Sequence, residues 1–216
     1  MKDYIFGSIV FTSHSTLGDP EDPEDFITAF TGIITVRIES SDSEVEVGRM
    51  QGSMVEIKKA ADYGCSIFDV FDATAGIDEY MAQIWDHGSD DYSKLVNPDE
   101  AFLWDTLILE NLYIYPEFNG HGYGLAAIQR TIEHFYRDSF LVIFKACPLQ
   151  KFDKEHHSDN FNKRMDLSKF GADNKKALKS LMAYYSSGGF KRIGKTEYMY
   201  KLEIGLKEDL VNGALK

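Results

Sequence analysis

The chain has 216 residues, 44% of them hydrophobic, and carries a formal net charge of -12 at pH 7. That apolar content is what an ordinary globular core needs, and the length suits one domain, 1–216, with an added lobe. So acidic a chain excludes general nucleic-acid binding, which needs a basic footprint, and no apolar run reaches the length of a membrane span.

Residues 2 to 12 alternate partly and predict a strand; with an acid at position 3, the N-terminus reads as that strand and not as a signal peptide. Leu17 to Asp25 is rich in prolines and acids and predicts a loop. Gly32 to Glu39 alternates, with Ile34, Val36 and Ile38 on one face of a strand. Glu44 to Ile57 is a further strand in which Gly48 and Gly52 mark bulges or a bend, and residues 39 to 44 between them suit a hairpin turn. Residues 59 to 88 read as helical, divided near Gly76, with Ile77, Tyr80, Met81, Ile84 and Trp85 as a core stripe. Gly88 to Pro98 is a polar connection, and Ala101 to Leu109 leads into the main strand. The helix Leu125 to Tyr136 has Leu125, Ile128, Ile132 and Phe135 on one face. Phe140 to Ala146 is nearly continuous apolar, as a strand covered on both sides should be. Lys151 to Phe170 is charged and irregular; it holds the densest basic group (Lys151, Lys154, Lys163, Arg164, Lys169) and His156-His157, read as solvated. Asn174 to Tyr185 is an amphipathic helix, and Thr196 to Ile204 is a closing strand.

The two cysteines, Cys65 and Cys147, lie far apart. They suit free thiols in a reducing cytoplasm, and nothing has the Cys/His spacing of a zinc site. Cys147 reads as a buried small hydrophobe. An acidic surface keeps the chain soluble and also attracts cationic amines.

The most informative stretch runs from Leu107 to Leu125. An apolar strand, Leu107 to Tyr115, stops at Pro116. Gly120, Gly122 and Gly124 follow at alternate positions, and then the helix begins. Such a turn presents free backbone N–H groups at a helix start, where phosphates bind. The spacing G-x-G-x-G departs from the dinucleotide fingerprint G-x-G-x-x-G, and no G-K-[ST] ends it, so it is not a Walker loop. A nucleotide-dependent oxidoreductase remains a minor alternative.

Asn119-Gly-His-Gly-Tyr-Gly124 resembles the acetyl-CoA loop, Arg/Gln-x-x-Gly-x-Gly/Ala, of the Gcn5-related N-acetyltransferase (GNAT) family, with Asn119 in place of the usual Arg or Gln. Tyr185-Ser-Ser-Gly-Gly-Phe190, followed by Gly194, is similar to the family's Y-x-x-x-G-F-x-x-x-G segment. The two pieces lie in the family's order, and the resemblance covers about residues 105 to 203. It implies an α/β (α+β) GNAT fold: a mixed central sheet of about six to seven strands with helices on both faces. Residues 101–204 would form the acetyl-CoA-binding core. The N-terminal half, 1–100, which shapes the acceptor pocket in the family, is atypical, because its clearest helices come at residues 59 to 88.

The resemblance further implies a cytoplasmic acetyltransferase with acetyl-CoA as cosubstrate and direct attack by a primary amine of a small molecule or a protein. Leu112 to Tyr115 would pair with the pantetheine arm, an amide near Ile114 would polarise the thioester carbonyl, and the amides of Asn119, Gly120, His121, Gly122, Tyr123, Gly124 and Leu125 would hold the pyrophosphate, with help from Arg130 or Lys145. Tyr185 stands where the family has its general acid, with Tyr184 as the adjacent rival. Glu110, a charge inside an apolar strand, is the candidate base and is expected to share a face with Leu112 and Ile114; Asp69, Asp72 and Glu117 are lesser candidates. No metal, nucleic-acid or membrane partner is expected, and a homodimer stays open. The alternative reading is a non-catalytic acyl-CoA-binding module on the same fold.

Overall fold

The computed structural model describes residues 4–14, 20–38, 43–86, 88, 91–96, 104–135, 139–148, 159–165 and 173–204. The expectations for residues 17–19, the turn at 39–42, His156-His157, Lys151, Lys154 and Lys169 lie outside them.

Seven strands form one mixed sheet: β1 (Tyr4–Ser13), β2 (Ile27–Ile38), β3 (Ser43–Val55), β6 (Asp105–Ile114), β7 (Ser139–Lys145), β8 (Lys191–Arg192) and β9 (Tyr198–Ile204). Their order is β1-β2-β3-β6-β7-β9-β8. Every pairing is antiparallel except β6 with β7, which is parallel. A parallel neighbour needs a crossover; here the crossover carries α4 (Tyr123–Phe135). A two-stranded ribbon pairs β4 (Trp85–Asp86), at the end of the stretch the sequence reads as helical, with β5 (Asp91–Tyr92), in the stretch read as a polar connection.

Helices cover both faces. Residues 57 to 84 form three short helices and not two: α1 (Ile57–Asp62), α2 (Ile67–Asp72) and α3 (Asp78–Ile84). The break at Gly76 is where expected; a second falls at Gly64, and Ser66 caps α2 by accepting the Asp69 amide at 3.4 Å. Val70, Phe71, Tyr80 and Ile84 of these helices, with Ile77 just before α3, pack with Ile108 and Ile143 on one side of the sheet. On the other side, Ile128, Ile132 and Phe135 of α4 pack with Leu107, Leu109 and Val142, joined by Leu181 and Tyr185 of α6 (Asn174–Ser187). Within the stretch read as irregular, Asp159–Arg164 forms a helix, α5, pinned by Arg164: its guanidinium donates to the Glu46 carbonyl at 2.6 Å and lies 3.7 Å from the Tyr115 ring.

Both glycines read as irregularities in β3 sit beside register shifts. The β2–β3 pairing passes from Ile34↔Gly48 to Thr35↔Glu46, and the β3–β6 pairing from Gln51↔Asn111 to Gly52↔Leu109. The second shift makes Glu110 an extra residue in β6, a bulge. At Gly52 a Cβ would stand 2.3 Å from the Ile108 carbonyl oxygen, so only glycine allows the bulged strand to approach this closely.

Candidate functional site

The site begins where β6 and β7 part. Their parallel register covers Asp105 to Leu109 against Phe140 to Phe144 and stops there. Beyond it β6 stays with β3 as far as Gly48↔Ile114. The chain after β7 turns to the other neighbour instead, and the Ala146 amide donates to the Glu197 carbonyl at 2.8 Å. Among the described residues no strand pairs with the β7-side edge of Glu110 to Ile114.

The polarity of that edge follows from the ladder. The Tyr115 amide donates to the Val47 carbonyl at 2.9 Å. Neighbouring residues of a strand point their backbone groups to opposite sides. Tyr113 therefore faces β3 with Tyr115, while Leu112 and Ile114 aim N–H and C=O into the opening.

Over the opening stands the glycine turn. A short 3-10 turn, Pro116–Phe118, leads from β6 into it. Gly120 and Gly122 have φ of +82° and +80°, the left-handed region that glycine enters without strain. The chain reverses there, and α4 starts at Tyr123, two residues before the sequence suggests. The amides of Gly120 and Gly122 make no hydrogen bond to a described residue.

Strand edge, turn and α6 enclose a cavity of about 580 Å³ lined by Leu112, Ile114, Asn119, Gly120, Gly122, Tyr123, Gly124, Tyr184 and Tyr185, in the size range of small-molecule sites. Of the expected binding residues, His121 and Leu125 are not in its wall. His121 lines a second groove, between β1 and α4, with Arg130. The Leu125 amide is already taken: it donates to the Tyr184 hydroxyl at 2.9 Å. Gly124 is small for the same reason, since a Cβ there would lie 3.1 Å from that hydroxyl.

The two tyrosines thus separate. Tyr184 ties α6 to the start of α4. Tyr185 packs its ring edge-on against Phe144, centroids 4.5 Å apart, and its hydroxyl has no hydrogen bond with a described residue. Burial holds the Tyr185 phenol well above its ordinary pKa, so it stays protonated across the working range.

Two expectations are corrected. Glu110 does not share a face with Leu112: the bulge intervenes, so Glu110 falls with Ile108 on the α1–α3 side, while Leu112, opposite Met50, faces α4. Glu110 is exposed and accepts the Ser53 hydroxyl at 2.8 Å. Cys147 is not buried; it is exposed and lines the cavity. Lys145 and Arg130 are engaged, the first with Glu79 at 3.0 Å and the second with Glu133 at 2.7 Å. The Glu79 hydrogen bond holds the Lys145 ammonium above its ordinary pKa. Of the lesser acids, Glu117 pairs with Arg164 at 3.4 Å, and none of Asp69, Asp72 and Glu117 lines the cavity.

Sequence reasoning missed part of the wall: Phe118, Pro148, Ala177, Ser180 and Leu181. The signal for the α6 part was present, because 177, 180, 181 and 184 fall at helical spacing. Lys175, Lys176 and Lys179 are exposed on the same turns, with no ion pair to a described residue. They put positive charge beside the cavity of an acidic chain.

Among the described residues no helix is long and apolar enough to cross a membrane. Compared with protein-family models, with curated proteins and with solved structures, the chain matches none of them.

Proposed function

We propose that the chain is an acetyl-CoA-dependent N-acetyltransferase of the GNAT type, acting on a primary amine. One observation carries the reading: the unpaired backbone edge at Leu112 and Ile114 and the open amides of the glycine turn line one cavity. An extended amide-bearing arm with a diphosphate at its far end is the ligand that uses both. The arm adds to the strand edge by backbone hydrogen bonds, and the diphosphate lies at the start of α4 against amides and the local dipole. Residues 119–124 and 185–190 are the segments that resemble the family, and Tyr185 of the second lines the same cavity as Asn119, Gly120, Gly122, Tyr123 and Gly124 of the first.

The chemistry then has four parts. The acceptor arrives as an ammonium, since a free alkylamine has a pKa near ~10, and one proton leaves through the Glu110 carboxylate to solvent. The neutral nitrogen attacks the thioester carbon, forming the C–N bond, while an amide of the open edge at Ile114 holds the oxygen as it becomes negative. The C–S bond breaks, and the Tyr185 hydroxyl donates to the leaving sulfur and gives it a proton. The second nitrogen-bound proton restores the phenol. The products are the amide, free CoA and one proton.

Calorimetry with acetyl-CoA and thiol-release assays on an amine panel test the reading. The expected result is binding with turnover, and for Tyr185→Phe a fall in kcat of about 10²-fold with unchanged CoA affinity. No heat at millimolar CoA overturns the proposal. Binding without turnover on any amine, indifferent to Tyr185→Phe, assigns the chain to the non-catalytic module.

A further inference from the structure

β1 is the last strand on its side of the sheet, and among the described residues no strand pairs with its outer edge. Such an edge offers a row of unmet N–H and C=O groups, which proteins guard with lysine, proline or a covering element. The sequence of β1 has no such guard: Tyr4–Ser13 contains no charged residue and no proline. Its neighbour β2 contributes only Arg37. The chain as a whole is different, with 27% of its residues charged and a net charge of -12. Two copies of so acidic a protein repel each other in general, and an uncharged edge is where they can meet with least repulsion.

The order of residues along β1 is a second, independent observation. Outward from Val10 the chain is the same in kind in both directions: Ile9 and Phe11 are large and apolar, Ser8 and Thr12 bear hydroxyls, and Gly7 and Ser13 are small. Antiparallel pairing of two β1 strands about Val10 therefore sets like against like. Val10 meets Val10, Ile9 meets Phe11, and Ser8 meets Thr12. Aliphatic, aromatic and hydroxyl pairs of this kind across strands are favourable. Opposed residues also fall on the same face, so the register is consistent. The same rows already exist within the chain: Val10 stands opposite Ile33, Thr12 opposite Thr31, and Ser8 opposite Thr35, with the last two hydroxyls 2.7 Å apart. Val10 and Ile33 are 59% and 43% exposed. In the paired sheet their row would run Ile33, Val10, Val10, Ile33, each side chain covering the next. On the other face Ile9 and Phe11 are half-buried in the groove beside α4, and the same residues of a second copy would extend that apolar wall.

We propose that β1 is a dimer edge: two copies of this chain pair antiparallel through residues 7–13 about a twofold axis at Val10, joining their sheets. The contact is isologous and contains no ion pair. It does not depend on the acetyltransferase reading.

Sedimentation equilibrium of the full chain over a dilution series is the test. The expected result is a reversible monomer–dimer equilibrium that tightens as salt is raised, because salt screens the repulsion between two acidic bodies and takes nothing from an uncharged contact. Val10→Lys places two ammonium groups at the axis and should weaken the dimer about a hundredfold, with the far-ultraviolet dichroism native because Val10 is exposed. Register is read separately, in a Cys147→Ala background that removes the exposed native thiol. There Val10→Cys should give a disulfide-linked dimer with oxidised glutathione, since the two side chains oppose each other within disulfide reach. Thr12→Cys, which faces Ser8 of the second copy, should not. A monomer at every concentration overturns the proposal, as does a dimer that is indifferent to Val10→Lys or loosened by salt. Cross-linking at Thr12→Cys but not at Val10→Cys overturns the register. Slow amide exchange along the outer edge of β1 in a monomer would assign that edge to another segment of the chain and overturn the second copy as its occupant.

Discussion

Cys147 stands in the cavity wall beside the opening, where a nucleophilic thiol would form an acyl-cysteine. The proposed direct attack has no use for it. Cys147→Ala is therefore expected to keep kcat within about twofold, and intact-mass spectrometry after mixing with acetyl-CoA should show no acetyl adduct on the wild type. A large loss together with an adduct would replace direct transfer by a two-step route. Glu46 shows how a polar group is held far from the chemistry. Burial works against its charge, yet hydrogen bonds from Arg49 and Tyr115, with the charges of Arg49 and Arg164, leave its pKa below the ordinary value. Its partner Tyr115, buried and bonded to that carboxylate, is pushed up to about 12. A depressed carboxylate stabilises the fold above its unfolded pKa, near ~4.3, and that contribution disappears as pH falls through the lower native value. Glu46→Gln should thus cost about 1 kcal/mol at neutral pH. In denaturant melts, the difference from wild type should vanish on acidification; a constant difference would mean packing and not charge.

At the scale of elements, the turn between β6 and α4 depends on backbone angles. Gly122 has φ of +80°, with no other atom within 4 Å of where a Cβ would stand. A side chain there meets conformational strain and not a clash. Gly122→Val is expected to cost about 1–2 kcal/mol and to abolish CoA heat while the far-ultraviolet dichroism stays native. Retained binding would show that the turn does not hold the diphosphate. The same elements show what the chain made legible. The strands, α4 and α6 were readable because their apolar periods are regular and glycine or proline ends them. The division at Gly64 was not, since three short helices continue one stripe of buried residues. Nor was α5, whose order comes from Arg164 reaching Glu46 and Tyr115, contacts more than forty residues distant in sequence. The two-residue strands β4, β5 and β8 carry too few residues for any period.

For the whole molecule, the candidate site divides along the same line. The glycine turn and the Tyr185 segment were visible as local patterns. The facing of Glu110 was not, because one inserted residue in β6 reverses every side chain after it, and a bulge is set by two strands together. The exposure of Cys147 likewise follows from where β7 leaves β6, which is a property of the sheet.

That departure has a mechanical consequence. Strands β1, β2, β3 and β6 make one half-sheet and β7, β8 and β9 the other, and the seam between them is stitched over only Asp105 to Leu109. A ligand whose own amides fill the unstitched length would fasten the halves like a splint. Amide deuterium uptake at Leu112 and Ile114 should therefore slow when CoA is added, and strand motion across the seam should stiffen with it; on the proposed reading the coenzyme would serve as a temporary strand of the sheet.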